Sequence, residues 1–157
     1  MSITRRNLLL GAAAVVATGA AVRATLSTAA DGAPVFEGGI EGVAINGYDP
    51  VAYFTRGEPV EGSPDHTFRW RGTTWRFAST ANRDTFAAAP ERYAPQYGGF
   101  CAFAMAQGQR IKTDPAAFSI VDDKLYLNYD RQIRKRWEAD RDDLIEAADE
   151  RWPKVGG

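Results

Sequence analysis

Three side chains in this 157-residue chain carry donors for soft-metal chemistry: Cys101, the one cysteine, Met105 four residues on, and His66, the one histidine. A thiolate with a thioether suits Cu(I), and an imidazole would supply a third donor. On a helix, Cys101 and Met105 would share a side. If that helix starts near Gly99, the unpaired N–H groups of its first turn favour the thiolate. Each residue also has a plainer use. Cys101 suits a buried position as a small hydrophobe, Met105 fills core space, and His66, beside Asp65, stabilises a turn or faces solvent. A redox-active or nucleophilic thiol is the third reading of Cys101. Ahead of Phe100 and Cys101 stand Tyr97, Gly98 and Gly99, where two glycines let the backbone approach another backbone or a bound cofactor. Tyr48, Tyr53, Tyr93 and Tyr97 could line a pocket against that turn.

No complete catalytic motif accompanies these groups. Cys-x-x-Cys, Cys-x-x-Cys-His, a Gly-rich phosphate loop after a strand and a Ser-centred nucleophile elbow are all absent from the sequence. A non-enzyme is therefore favoured. One Cys and one His exclude an internal disulfide and an all-Cys/His zinc site of ordinary ligand number. Asp49, Asp114 and Asp130 stand at expected helix starts, where capping is the ordinary role and acid/base or hard-metal work the alternative. Arg134-Lys135-Arg136 and Asp140, Asp142 and Asp143 read as a solvated face, with partner docking as the other use.

The elements that must position these residues form a small α+β single domain with two β-hairpins, several short helices and a C-terminal amphipathic helix. Val43–Ile45 predicts a short strand ended by Asn46-Gly47. Asp49-Pro50 predicts a cap with proline at the first helical position. His66–Trp70 and Thr74–Ala78 alternate as the clearest hairpin, with Gly72 between. Ser79 or Thr80 caps a helix over 81–89 whose inward anchor is Phe86, and Pro90–Tyr93 adds another turn. The alternation of residues 97–106 is compatible with a strand, and their small residues with Cys101 and Met105 four apart suit a buried helix, the preferred reading. Asp114-Pro115 repeats the cap-plus-proline pattern, and Ser119–Val121 with Leu125–Asn128 form a second hairpin. A single helix over 131–149 follows, with Ile133, Trp137, Leu144, Ala148 and Trp152 in phase. No internal repeat is visible in the sequence.

The first thirty residues differ from the rest. They contain no acidic or aromatic residue, whereas all 18 aromatics lie beyond them. Arg5-Arg6 precedes an apolar stretch from Leu8 to Val22, followed by Arg23, shorter than the ~20 residues needed to span a bilayer. This pattern predicts a twin-arginine-type signal over 1–29, with cleavage after Ala24 or Ala29, and a lead-in over 30–42. The expected partners are the twin-arginine export machinery and a periplasmic protein, with no membrane association after processing. Nineteen Lys and Arg against 20 Asp and Glu give −1, and without Arg5, Arg6 and Arg23 the balance is −4. That charge argues against non-specific nucleic-acid binding.

Several separated motifs, in order, resemble the YHS-domain family. They are Gly47–Phe54, Trp75–Ser79 with Asn82–Phe86, Pro90–Ala102, Leu125–Tyr129 and Ala148–Pro153, covering residues 43–153. The resemblance is to the exported single-domain subgroup and implies an association with metals. Short metal-associated members carry cysteines at the positions of Ala52 and Ala78, so a thiolate-rich site does not transfer. The expectation is a periplasmic metal-binding or metal-handling accessory protein, for copper, built on Cys101, Met105 and His66. The alternatives are a non-metal structural or interaction module and a cysteine-dependent redox protein.

Overall fold

The computed structural model describes residues 32–155, so the signal-like segment over 1–29 and its cleavage sites lie outside the described residues. Among these residues are six α-helices and two two-stranded antiparallel sheets, a small α+β domain. None of these helices is long and apolar enough to cross a membrane.

A 3-10 turn at Ala44–Gly47 leads to α1 (Pro50–Thr55), a hairpin of β1 (Ser63–Trp70) and β2 (Thr73–Phe77), and α2 (Thr80–Ala88). After α3 (Pro90–Tyr93), the sequence of elements starts again. A 3-10 turn at Gln96–Gly99 leads to α4 (Ala102–Met105), a hairpin of β3 (Asp114–Val121) and β4 (Lys124–Asn128), and α5 (Arg131–Ala139). The C-terminal helix α6 spans Arg141–Val155.

This is an internal structural repeat, and it corrects the reading that the chain has none. Both hairpins pair an eight-residue strand with a five-residue strand. The two have one register: Ser63 pairs with Phe77, the pairing slips, and Thr67 meets Arg76, just as Asp114 pairs with Asn128 and Phe118 meets Leu127. Both hairpin turns, Arg71-Gly72 and Asp122-Asp123, have positive φ at both residues, the handedness that matches strand twist. Both nine-residue helices are capped by a side chain that accepts from the third helical N–H, Ser79 from Asn82 and Asp130 from Ile133. Phe86 and Trp137, each fully buried, take the same place in α2 and α5.

Four other expectations change. Val43 makes only an isolated bridge to Thr74, and Ile45, Asn46 and Gly47 are left-handed, so no strand forms there. Residues 97–106 do not form one helix, because Tyr97, Gly98 and Gly99 are left-handed and only α4 follows. Asp114 does cap locally, accepting from Ala116 N at 2.8 Å, yet the chain continues extended because Asp114 pairs with Asn128. The C-terminal helix is broken at Asp140 (φ −125°, ψ 30°) into α5 and α6.

Two aromatic cores result. In the first, Phe86 lies 5.1 Å from Trp75 and 5.2 Å from Phe77, ring to ring. In the second, Trp137 lies 5.0 Å from Tyr126, packed with Tyr97, Met105 and Ala148. Strand β4 divides them. Successive side chains point to opposite faces, so Leu125 and Leu127 join the first core and Tyr126 the second. The lead-in laces the two left-handed turns together: Phe36 N donates to Gly98 O, and Ile45 N donates to Phe36 O.

Candidate functional site

Each repeat places one polar residue between its left-handed turn and its first helix: Asp49 in the first, Cys101 in the second. The backbone treats them alike. Asp49 N donates to Val60 O at 2.8 Å and Cys101 N to Ile111 O at 2.9 Å. The preceding residue closes the turn in both, Tyr48 N on Ile45 O and Phe100 N on Tyr97 O.

Their side chains also face equivalent partners. The fully buried Asp49 carboxylate accepts from Val51 N at 2.8 Å, Ala52 N at 3.3 Å and Ala78 N at 2.8 Å, and from Asn82 Nδ2 at 2.7 Å. It ties the start of α1 to the end of β2 and to α2, which is a structural role rather than a catalytic one. Around Cys101 Sγ stand the N–H groups of Phe103, Ala104 and Tyr129. These are the counterparts of Val51, Ala52 and Ala78. Cys101 therefore takes the N-cap position of α4, although its sulfur makes no capping hydrogen bond, and the single-turn α4 replaces the longer helix expected to favour a thiolate.

Burial pushes the thiol above its ordinary pKa, against the pull of the N–H groups of Ala104, Tyr129 and Phe103. The thiol donates to Asn128 Oδ1 at 3.6 Å, and that oxygen also accepts from Phe103 N at 3.1 Å. The second bond fixes the amide orientation, since a flip would set two N–H groups against each other. Asn128 consequently favours S–H over a thiolate.

Above Cys101 the repeats diverge. Asn82 closes over Asp49, but its counterpart over Cys101 is Ile133, which cannot donate. An open cleft of about 260 Å³ lies there, walled by Cys101, Phe103, Ile111, Tyr129 and Ile133, with Gln107 and Gln109 at the edge. Ile111 and Tyr129 are two of the large apolar residues left exposed.

The structure does not bring the expected metal donors together. Met105, fully buried, packs with Tyr97, Tyr126 and Trp137 in the second core. His66 lies in the irregular part of β1, with Nδ1 3.4 Å from Thr80 Oγ1 at the start of α2. Neither lines the Cys101 cleft. Among the described residues no group of three or more His, Cys, Asp or Glu side chains could hold a metal ion. As the donors stand, Cu(I) would meet one protonated thiol, which is not a fit for a resident copper centre.

Tyr97, Gly98 and Gly99 have a different placement. A Cβ on Gly98 would fall on Pro34 O, and one on Gly99 would meet Ile45 Cγ2 at 2.6 Å. Gly98 thus lets backbone approach backbone, and Gly99 lets the Ile45 side chain pack on the turn. Tyr97 donates its hydroxyl to Asp149 Oδ1 at 2.8 Å. With Gly98 it lines a cleft of about 350 Å³ shared with Trp70, Arg71, Glu91, Asp149 and Trp152. Tyr48, Tyr53 and Tyr93 are not in its wall. Tyr53 instead donates to Pro115 O at 3.1 Å, and Tyr93 packs edge-on to Phe54.

Asn128 was not among the residues singled out from the sequence. Its signal was available: a lone amide ending the otherwise apolar run Leu125-Tyr126-Leu127 must be satisfied if buried.

Comparison with protein-family models, with curated proteins and with solved structures finds no match at any of the three levels.

Proposed function

We propose that this chain is an exported accessory module that works by binding, with Cys101 as a buried structural residue at the start of α4 and the apolar cleft of the second repeat as its contact surface. The observation that carries this reading is the equivalence of Cys101 and Asp49. A residue at the backbone position of a buried structural carboxylate, with its thiol bonded to Asn128, has a sufficient reason to be there. The cleft is where the second repeat departs from the first, and its apolar walls suit an apolar side chain of a periplasmic partner or a small apolar molecule. Export through the twin-arginine machinery belongs to the same proposal and rests on the Arg5-Arg6 segment. The YHS likeness rests on the sequence motifs.

The test is thiol chemistry beside metal titration. At neutral pH, iodoacetamide should modify native Cys101 at least ~10-fold more slowly than an exposed free cysteine. Anaerobic Cu(I) should remain with a competing chelator, equally for the native chain and Cys101→Ser. One equivalent of Cu(I) held by the native chain and lost in Cys101→Ser would replace this reading with metal handling. Rapid alkylation without metal retention would replace it with a redox or nucleophilic thiol.

A further inference from the structure

The Cys101 cleft has apolar walls and a basic surround. At about 260 Å³ it is smaller than the ~300–1,000 Å³ of sites that enclose a whole drug-sized ligand. It therefore admits one projecting group whose flanks stay outside, and what those flanks meet is cationic. The stretches 107–112 and 131–136, which supply Ile111 and Ile133 to the walls, contain six Lys and Arg residues and no Asp or Glu, in a chain of net charge −1. Two of the six lie on wall residues. Lys112 Nζ is 5.7 Å from the centroid of the Tyr129 ring, and the Arg136 guanidinium is 5.1 Å from that of Phe103. Both side chains are exposed, and neither joins an ion pair among the described residues. A ring face does not neutralise a cation or use its N–H groups as a carboxylate does. Of the other four, Arg110 leans on Phe100 and Arg134 is held by Glu138 and Phe118 O, while Arg131 and Lys135 are exposed on α5. The neighbouring carboxylates are engaged: Asp114 accepts from Ala116 N, Asp130 from Ile133 N, and Glu138 holds Ser119 and Arg134. Gln107 and Gln109, at the edge, offer amides that both donate and accept.

We propose that the cleft receives one apolar side chain from an acidic, extended segment of a protein partner, with carboxylates on both sides of that side chain meeting Lys112 and Arg136. The proposal rests on the reading of this cleft as the contact surface and adds the charge of what it contacts. Lys112 stands at the Tyr129 wall and Arg136 at the Phe103 wall. The complementary negative charge is therefore spread over two places, which a run of residues supplies and a single head group does not. An anionic bilayer also spreads its charge, but docking on a bilayer needs apolar side chains that project from the protein, whereas here they wall a recess.

Titration of the full-length chain with acetyl-Asp-Glu-Leu-Glu-Asp-amide, followed by the Ile methyl signals in ¹H–¹³C spectra, tests the site. The Ile111 and Ile133 methyls should shift and saturate, while those of Ile45, buried in the first core, stay still. Acetyl-Asn-Gln-Leu-Gln-Asn-amide, and the acidic peptide with Ala in place of Leu, should each bind at least about fivefold more weakly. Lys112→Glu and Arg136→Glu should each weaken the acidic peptide at least about threefold, and Lys124→Glu, at the far end of the second hairpin, should leave it unchanged. Raising salt from about 50 to about 500 mM should weaken it as well. Equal binding of the uncharged peptide, with the same methyls shifting, would overturn the acidic partner and leave the cleft as a contact surface. No shift at Ile111 and Ile133 with any of the peptides would overturn both. Co-sedimentation with phosphatidylglycerol vesicles, lost in Lys112→Glu and Arg136→Glu and without saturable peptide binding, would replace the peptide with a membrane.

Discussion

The two repeats share a backbone plan and differ in how completely they are closed. In the first, Asp49 satisfies three backbone N–H groups and the Asn82 amide, and Phe86 is enclosed by Phe68, Trp70, Trp75 and Phe77. In the second, Cys101 replaces the carboxylate, Ile133 replaces the amide, and a cleft opens between them. Among the described residues, the buried side-chain polar atoms without a hydrogen bond, Asn128 Nδ2, Arg134 Nε and Trp137 Nε1, all fall in the second repeat. Arg134 Nε still lies 3.3 Å from Glu138, an ion-pair distance without hydrogen-bond geometry. Three of the exposed large apolar residues, Ile111, Ile120 and Tyr129, lie there too. One copy holds the fold while the other relaxes its internal pairing and gains a surface, which is why binding is assigned to the second.

The comparison breaks most sharply at Asp49. Asp49→Ala leaves four donors facing a buried void, and should lower stability by about 3–5 kcal/mol in denaturant unfolding. A loss below ~1 kcal/mol would mean that Asp49 is not the tie between α1, β2 and α2.

Alkali tests both repeats at once. Burial raises the pKa of Tyr53, Tyr97, Cys101 and Tyr126, the last to about 12. Each folded pKa exceeds its unfolded value, so the neutral forms stabilise the fold fully below pH ~8, under the unfolded pKa of cysteine. That stabilisation is lost as pH rises through 9 to 12 and beyond. Phenolate absorbance and circular dichroism should therefore change together above pH ~10. Ionisation of Tyr53 and Tyr97 near pH ~10 with the fold intact would contradict their burial.

A smaller effect sharpens the equivalence of the cap positions. Cys101→Asp sets a carboxylate against Asn128 Oδ1, and Ile133→Asn places an amide in an apolar wall, so each alone should destabilise. Together they rebuild the Asp49–Asn82 pair, and a double-mutant cycle should give about 1–2 kcal/mol of favourable coupling. Additivity within ~0.3 kcal/mol would argue that the two positions are not related as Asp49 and Asn82 are.

Local signals carried much of the architecture in the sequence. Asp49-Pro50, Ser79 and Asp130 act as caps as read, both hairpins occur, and Phe86 is the anchor of its helix. What escaped depends on long-range pairing. Asp114-Pro115 has the same local pattern as Asp49-Pro50, yet bonding to Asn128 on β4 draws it into a strand. The repeat escaped because hydrogen-bond geometry preserves it while side chains do not: Phe86 stands opposite Trp137, Trp75 opposite Tyr126 and Asp49 opposite Cys101. Backbone donors do not distinguish a carboxylate from a sulfur by sequence likeness, only by what lies in reach. For the same reason the donors Cys101, Met105 and His66 looked like a set. Their spacing was compatible with one site, but Met105 was recruited to the second core and His66 to the edge of the first hairpin.

The smallest expected effect bears most directly on Cys101. Cys101→Ser retains a donor to Asn128 Oδ1, so a hydrogen-bonded structural role predicts a loss of about 1 kcal/mol or less. Cys101→Ala keeps the small volume but removes the bond to Asn128 Oδ1, which then keeps only its bond from Phe103 N, and should cost more, about 1–2 kcal/mol. The ranking Ser above Ala follows from hydrogen bonding, whereas a purely apolar role for the sulfur would favour Ala, because a buried hydroxyl costs free energy where no partner awaits it. Chemical denaturation of the two variants side by side decides between them. Serine more stable than alanine gives Cys101 a hydrogen-bonded structural role, and the reverse order returns it to the apolar core.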